Sequence, residues 1–482
     1  MAFPSQPPSL DNHLTTARST IEVTRNIFET LVTFDLDYNV KPMLAESWEE
    51  SEDGKTITFN LRKGVLFHTG EEMDADDVVA SMNRWLKLSG TGKETFEGAE
   101  FIKVDDYTAS LELVEPVSIT LAVLAFNGAN LPSIMPKEIV ESAGEESINE
   151  YIGTGPFKFE EWKQDQYIHL TRFEDYQPIN EPADGLYGKK EALVNDLYLH
   201  YTPDSHTTMS GLMSGEYDIA SSLPIDGLDQ LKNNENIKID SASDNRLSIY
   251  FNKKKGLFAN PIAREAIAIG LNNEDILMAS FTDPEYYNLS HNLMMSHQEE
   301  QWYSDYGKDR YNQNDIDYAK ELLEEAGYNG EEITILTGRD HDYIYNSAVV
   351  LQEQLEKLGM NAKLAVYDSA TVSELREDEN AYDLYTKSDT PRPEPTSLLF
   401  MNSSFSGWTD SPELDALLDE IWSQPNLEGA QKLYDDLQRW FIDYRPIIKV
   451  GDGNALYAYR DTIEGLEWMD SLILWNVRKM EE

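Results

Sequence analysis

The stretch "SDTPRPEP", Ser388 to Pro395, sets a carboxylate, Asp389, and a guanidinium, Arg392, among three prolines. Each proline fixes its own φ and restricts the residue before it, so both charges are held with little freedom. Such stiffness has a use if the carboxylate is to be aimed at something; a solvated surface turn is the competing reading. Other stretches resemble chemical motifs and lack an essential part. "SGTGKET" resembles the end of a phosphate-binding loop, but Glu94 stands where Ser or Thr must hold magnesium and Lys87 where the leading glycine belongs. "DLDYNVKPMLAE" spaces Asp35, Asp37, Asn39 and Glu46 as a calcium loop does, yet Val40 occupies the glycine position and Pro42 intrudes. The eight histidines, from His13 to His341, form no HExxH pair and no close cluster, which disfavours a zinc enzyme. "RDHDY" around His341 reads as a polar strand-to-helix loop, and no G-x-S-x-G elbow occurs. The chemistry is that of binding: no catalytic residue, metal or cofactor is expected.

The elements around Asp389 give it a place. From Asn252 onward helices and strands alternate: "YAKELLEEAGYNG" is a helix stopped by Gly327 or Gly330, and "EEITILTG" is a strand. "NSAVVLQEQLEKLG" is a helix with Leu351, Leu355 and Leu358 on one stripe and Gly359 just past its end. "MNAKLAVYD" is a strand, "SATVSELRED" a helix capped by Ser369, and "YDLYTKS" a strand again. That alternation implies right-handed crossovers and a parallel sheet. Ligands bind such sheets beyond the carboxyl ends of the strands, where "SDTPRPEP" lies. Earlier in the chain the texture is a strand meander, with Ile57, Phe59 and Leu61 on one face of "KTITFNLRKGVLF" after the Glu52-Asp53-Gly54 turn. The break between the two regimes is expected near "NRLSIYFNKKKG".

At 482 residues the chain exceeds a single core, so two or three folded units are expected. Its 88 acidic and 39 basic residues leave a net charge of -49, a field that repels nucleic acid and anionic lipid. The acidic residues are spread, as in "AESWEESEDG" and "ESAGEESINE", and read as a hydrated surface suited to salty or alkaline surroundings. With no cysteine there are no disulfides, thiolate metal sites or cysteine nucleophiles. The longest apolar stretch, "ITLAVLAFNGANL", is too short to cross a bilayer. The N-terminus "MAFPSQPPSLDNHLTT" has neither the basic nor the apolar region of a secretory signal, leaving open a cytosolic protein or a trimmed mature form.

The stretch "LAESWEESEDGKTITFNLRKGVLFHTGEEMDADDVVASMNRW", Leu44 to Trp85, closely resembles the signature region of family 5 solute-binding proteins, which feed peptide and nickel ABC importers. Further resemblance runs through "GTGPFKFEEW", "PIAREAIAIGLNNEDI", "AKELLEEAGYNG" and "LILWN", and covers almost the whole chain. It implies an α/β fold: a bilobed periplasmic-binding-protein-like clamp (type II, cluster C) with an extra β-rich subdomain in the first lobe. Lobe I would comprise residues 1–40, 153–250 and 447–482, the subdomain residues 41–152, and lobe II residues 251–446. The chain would cross between lobes near Leu247 to Asn252 and return near Ile447 to Val450.

The resemblance implies a receptor that captures a di- or oligopeptide between its lobes and delivers it, as a monomer, to a membrane permease. In oligopeptide-binding relatives an aspartate shortly before Glu-Pro-Thr-Ser anchors the peptide ammonium, which gives that role to Asp389. Thr386 stands where those relatives carry a pocket tryptophan, so side-chain recognition should differ. The nickel branch has Trp-Gly-x-Pro-Tyr-Asp-Pro in this loop and an arginine before its Ile-x-Pro segment; "SDTPRPEP" and "NLPSIMP" lack both, which demotes nickel. Arg392 would meet a carboxylate on a chelator or a peptide C-terminus. Trp408 is a ligand-stacking platform or an ordinary core aromatic, and Asn127 and Asn454 are further ligand contacts in cleft loops. A receptor for a nickel chelate, opine or other non-peptide solute, and more remotely a peptidase, remain alternatives. The expected location is the periplasm or, by a lipid anchor, the outer side of the cytoplasmic membrane, with signal and anchor absent from this sequence.

Overall fold

The computed structural model describes residues 1–221, 223 and 227–480 of the chain. It divides into two compact units, one of residues 1–240, 422–430 and 456–482, the other of residues 241–421 and 431–455. The chain therefore passes between units at 240/241 and 455/456, ten and nine residues from the expected lobe limits at 250/251 and 446/447, and it adds the 422–430 segment to the first unit. Among the described residues no helix is long and apolar enough to cross a membrane.

In the first unit, strand β1 (Ala2–Phe3) is followed by β2 (Ala45–Glu50), β3 (Thr56–Leu61), helix α1 (Ala75–Leu88), β4 (Glu100–Asp105) and β5 (Thr108–Glu112). Alternation in β3 buries Ile57, Phe59 and Leu61 and leaves the residues between them half-buried, as the period-2 pattern predicts. The four later strands form one antiparallel sheet in the order β2-β3-β5-β4, so it is not a simple meander. The reason is α1, which intervenes after β3 and delivers the chain to the sheet edge before β5 returns beside β3. Asp74 starts this helix: its carboxylate accepts the Asp76 amide at 2.7 Å, while Asp77 accepts the Asp74 amide at 3.0 Å. Val78, Met82 and Trp85 make its buried stripe, and the Trp85 indole donates to the Asn130 carbonyl at 2.6 Å. The would-be calcium stretch is a turn closed from within: Asp35 accepts the Asn39 amide at 2.8 Å and pairs with Lys41 at 3.0 Å.

A second sheet of this unit contains β6 (Phe157–Lys163), β7 (Tyr167–Arg172), β8 (Asp196–Tyr201) and β9 (Ile219–Ala220). β6, β7 and β8 are consecutive antiparallel neighbours, and β1 runs parallel to both β8 and β9. Next comes β10 (Ile237–Phe251), a long strand that continues from the first unit into the second.

The second unit carries α2 (Ile316–Glu325), β11 (Glu332–Gly338), α3 (Asp342–Lys357), β12 (Asn361–Tyr367), α4 (Ser369–Leu375) and β13 (Leu384–Asp389). β14 (Ile447–Arg460) then leads back toward the first unit. β11 runs parallel to β12 and to β13, as the strand-helix alternation requires. The sheet is nonetheless mixed, because β13 pairs with β10 in the antiparallel sense. Leu351, Leu355 and Leu358 are all buried, and Gly359 follows α3 at φ +86, a conformation that costs glycine nothing. α3 begins four residues before the expected Asn346, because the polar segment after His341 is already helical. The cap of α4 is Asp368 rather than Ser369: its carboxylate accepts the Thr371 amide at 3.0 Å, and Ser369 is the first helical residue.

Candidate functional site: a carboxylate among cations on one sheet face

The antiparallel register of β10 and β13 sets Arg246 opposite Asp389, Ser248 opposite Lys387 and Tyr250 opposite Tyr385. Directly paired residues share a face and neighbours alternate, so these six side chains project from one side of the sheet. On that side the Tyr250 hydroxyl donates to both Asp389 oxygens, at 2.8 Å to Oδ1 and 3.0 Å to Oδ2. The Lys387 ammonium donates to Oδ1, and the Arg246 guanidinium lies 3.4 Å from Oδ2. Aromatic rings form the surroundings: Tyr250 stacks on Tyr385 at 4.6 Å, and Arg246 sits 5.2 Å over the Phe400 ring. Burial alone would push the Asp389 carboxyl up; Lys387 and Arg246, with the hydrogen bonds from Lys387 and Tyr250, outweigh it and hold the group well below the usual carboxylate range. Burial moves the Lys387 ammonium down despite its carboxylate partner.

The loop after β13 is fastened on either side of Arg392. Buried Gln298 donates from Nε2 to the Arg392 carbonyl at 2.6 Å. Glu394, fully buried, accepts the amide and the hydroxyl of Thr396, each at 2.6 Å, and so caps the short turn Pro395–Ser397. Burial lowers the basicity of the Arg392 guanidinium and raises the Glu394 carboxyl toward its neutral form. Among the described residues no carboxylate lies within ion-pair distance of the Arg392 guanidinium, while Asp389 and Arg246 are close enough to act on its charge.

The other expected site residues are distributed differently. Thr386 is paired with Ile249 and so faces the opposite side of the sheet from Asp389, where its hydroxyl meets that of Thr337 on β11 at 2.8 Å. Trp408 is 8% exposed, stacked on Tyr382 at 6.0 Å with the Lys254 ammonium 4.7 Å from its ring, a packed aromatic in the second unit. Asn454 on β14 donates to the Ser241 hydroxyl and the Glu285 carbonyl, leaving its buried Oδ1 without a partner among the described residues. Asn127, in the first unit, is buried and its Oδ1 is likewise unpartnered among the described residues. Arg246, Tyr250 and Lys387 escaped the sequence reading. Their signal was the alternation of "NRLSIYF" and "LYTKSD", which acquires meaning only once the two strands are put in register.

This fold accords with known proteins. The model of bacterial extracellular solute-binding proteins, family 5, matches residues 39–411. The chain belongs to that family. Over 479 residues, 94% of this family 5 protein and 88% of its relative, it is 29% identical to the probable peptide ABC transporter periplasmic-binding protein y4tO of Sinorhizobium fredii. Among solved structures, DppA from Helicobacter pylori in complex with peptide STSA matches at TM-score 0.78 and 24% identity, covering 100% of this chain and 97% of that one. The PBP AgaA from A. tumefaciens R10 in complex with agropinic acid matches at TM-score 0.78 and 23% identity, covering 100% and 98%. Both structures share the family 5 fold, a type II periplasmic-binding architecture.

Proposed function

We propose that this solute-binding protein is the receptor of an ABC importer and captures a di- or oligopeptide by closing its two lobes on it, with Asp389 as the anchor of the peptide ammonium. It acts as a monomer, hands its cargo to a membrane permease, and works in the periplasm or lipid-anchored on the outer side of the cytoplasmic membrane. The observation that carries the reading is the buried, ionised Asp389 carboxylate ahead of a proline-stiffened loop. A desolvated ligand ammonium needs both an opposite charge and hydrogen-bond acceptors. A carboxylate aimed before binding also lowers the ordering cost of association. The ligand ammonium would take the Oδ1 position now held by Lys387, exchanging one ammonium for another. Arg392, Asn127 and Asn454 are proposed as further contacts, with Thr386 acting behind the sheet on the orientation of β13; Trp408, packed between Tyr382 and Lys254, is not among them.

Native mass spectrometry of the protein as purified, followed by denaturation and identification of the released molecules, tests this reading. Peptides that co-purify with the wild type and are missing from a folded Asp389→Ala variant support it; a metal chelate or an opine in their place removes the peptide from it. Incubation with a peptide panel separates receptor from peptidase, because cleavage products would sink a receptor-only role.

A further inference from the structure

The second unit contains a small cavity apart from the Asp389 face. About 30 Å³ in volume, it is walled by Asn273, His291, Arg310, Arg445 and Lys449 among others, none of them a partner of Asp389. That is room for one or two waters, too little for a peptide or a sugar. Arg445 is the unsatisfied group in the wall. It is 8% exposed, and Nε and Nη2, which form one edge of its guanidinium fork, have no hydrogen-bond partner among the described residues. The carboxylate within ion-pair distance, Glu265, is 4.0 Å from Nη2, and its Oε1 already accepts from Arg310 at 3.2 Å. Arg310 also takes Asp443, and both carboxylates are partly exposed, so Arg310 and water share their charge. Burial, with the like charge of Arg310 beside it, lowers the Arg445 guanidinium to about 10, which leaves it a cation at neutral pH. Lys449, by contrast, is complete: it pairs with Asp452 at 2.8 Å and donates to the Asn292 and Met294 carbonyls at 2.9 and 2.8 Å. The backbone holds Arg445 in the wall. Its φ is +50 immediately before Pro446, and its carbonyl accepts from Arg264 Nε at 3.1 Å. A residue other than glycine stays in that region only where its surroundings fix it.

A water in the cavity would take up the Nε and Nη2 hydrogens and leave the buried charge uncompensated, whereas an anion meets both needs. We propose that this cavity binds a halide or similarly compact monovalent anion, chloride in salty surroundings, on the Nε and Nη2 edge of Arg445. The Asn273 amide, whose Oδ1 has no partner among the described residues, offers a further donor by turning its NH2 group to the anion. The chain's net charge of -49 opposes entry at low salt, so occupancy rises with salt both by mass action and by screening.

Thermal midpoints of the intact protein in sodium chloride and in sodium gluconate at equal ionic strength separate binding from screening, because the two salts screen alike and gluconate is too large for the cavity. The chloride-minus-gluconate difference should be about 2–4 °C more positive in the wild type than in Arg445→Gln once chloride is in several-fold excess over its dissociation constant, and it should saturate. Asn273→Asp, which supplies the negative charge from the chain itself, should abolish the difference and remain as stable as the wild type in gluconate; it keeps the test open should R445Q fail to fold. Crystals soaked in sodium bromide should show an anomalous peak within hydrogen-bond reach of Arg445 Nε and Nη2. A chloride difference that is the same in the wild type and both variants, or a water in place of the anomalous peak, overturns the inference. A bromide peak with no chloride advantage in solution is binding at crystal concentration only and overturns it equally.

Discussion

Asp389 holds two cations at once, which makes its removal costly in a way that a surface carboxylate is not. Arg246 and Lys387 would be left as buried charges without a counter-ion, a loss of about 3–5 kcal/mol in comparable buried pairs. Urea unfolding of Asp389→Asn is therefore expected to give a stability lower by that amount, and Lys387→Met in the same chain to recover part of it. A double variant as unstable as the sum of the singles would show that the two side chains do not interact. The sign with pH follows from the depressed carboxyl: the contribution of Asp389 is complete above the ordinary carboxylate value of about 4 and is lost as pH falls through its lower folded value.

At the scale of elements, the segment before the first core helix is tied to α1 by a buried triad. Arg84 donates to Asp11 Oδ2 at 2.7 Å and to His13 Nδ1 at 3.2 Å, and His13 Nε2 donates to the Ser133 carbonyl at 3.0 Å. Arginine can only donate and a carbonyl can only accept, so these partners fix a neutral imidazole protonated at Nε2. Burial, with Arg84 adding to it and Asp11 opposing, depresses the His13 ring to about 4. The unfolded chain takes up this proton first, near pH 6.5. Stability should therefore be full above that pH and decline as pH falls to about 4, by up to about 3 kcal/mol for a fully buried ring. Burial drives His68 the same way, so His13→Gln should flatten only part of the slope of thermal midpoint against pH. A wild-type midpoint that stays level from pH 6.5 to 4.5 would refute the buried neutral rings. What the sequence disclosed at this scale follows the range of the interaction. The Ile57, Phe59, Leu61 face and the Leu351, Leu355, Leu358 stripe were legible because periods of 2 and 3.6 are local. The register that brings Tyr250 to Asp389 spans 139 residues, and no local period encodes it. Asp389 itself was found because prolines mark it in the sequence, whereas Arg246 and Lys387 lie in ordinary alternating strands. Asp368 was passed over as the cap of α4 because Ser369 beside it is an equally good capping residue.

For the whole molecule the net charge of -49 over 482 residues is the dominant long-range fact. Self-repulsion of that size opposes the compact state and acts over distances that salt shortens, from about 30 Å at 0.01 M to about 3 Å at 1 M. Ion pairs answer it only locally: Lys103 meets Asp76 and Asp106, each at 2.8 Å, whereas the Ala45–Glu50 strand carries exposed Glu46 and Glu49 with no cation beside them in sequence. Exposed pairs of the first kind add little to stability and are weakened by the same salt. Screening the repulsion should therefore win, and the thermal midpoint should climb as sodium chloride rises from tens of millimolar to about 1 M, where the screening length is shorter than most charge separations. Glu46→Lys with Glu49→Lys should raise the midpoint at low salt and lose most of that advantage at high salt, because a repulsion already screened cannot be relieved again. A midpoint that instead falls with salt would assign the stability to ion pairs such as those of Lys103 and would remove the case for an acidic surface adapted to salty surroundings. The same field bears on uptake: a strongly negative exterior repels solutes of net negative charge at long range, so the association rate of an acidic peptide should rise as salt is added, the reverse of an attractively steered encounter.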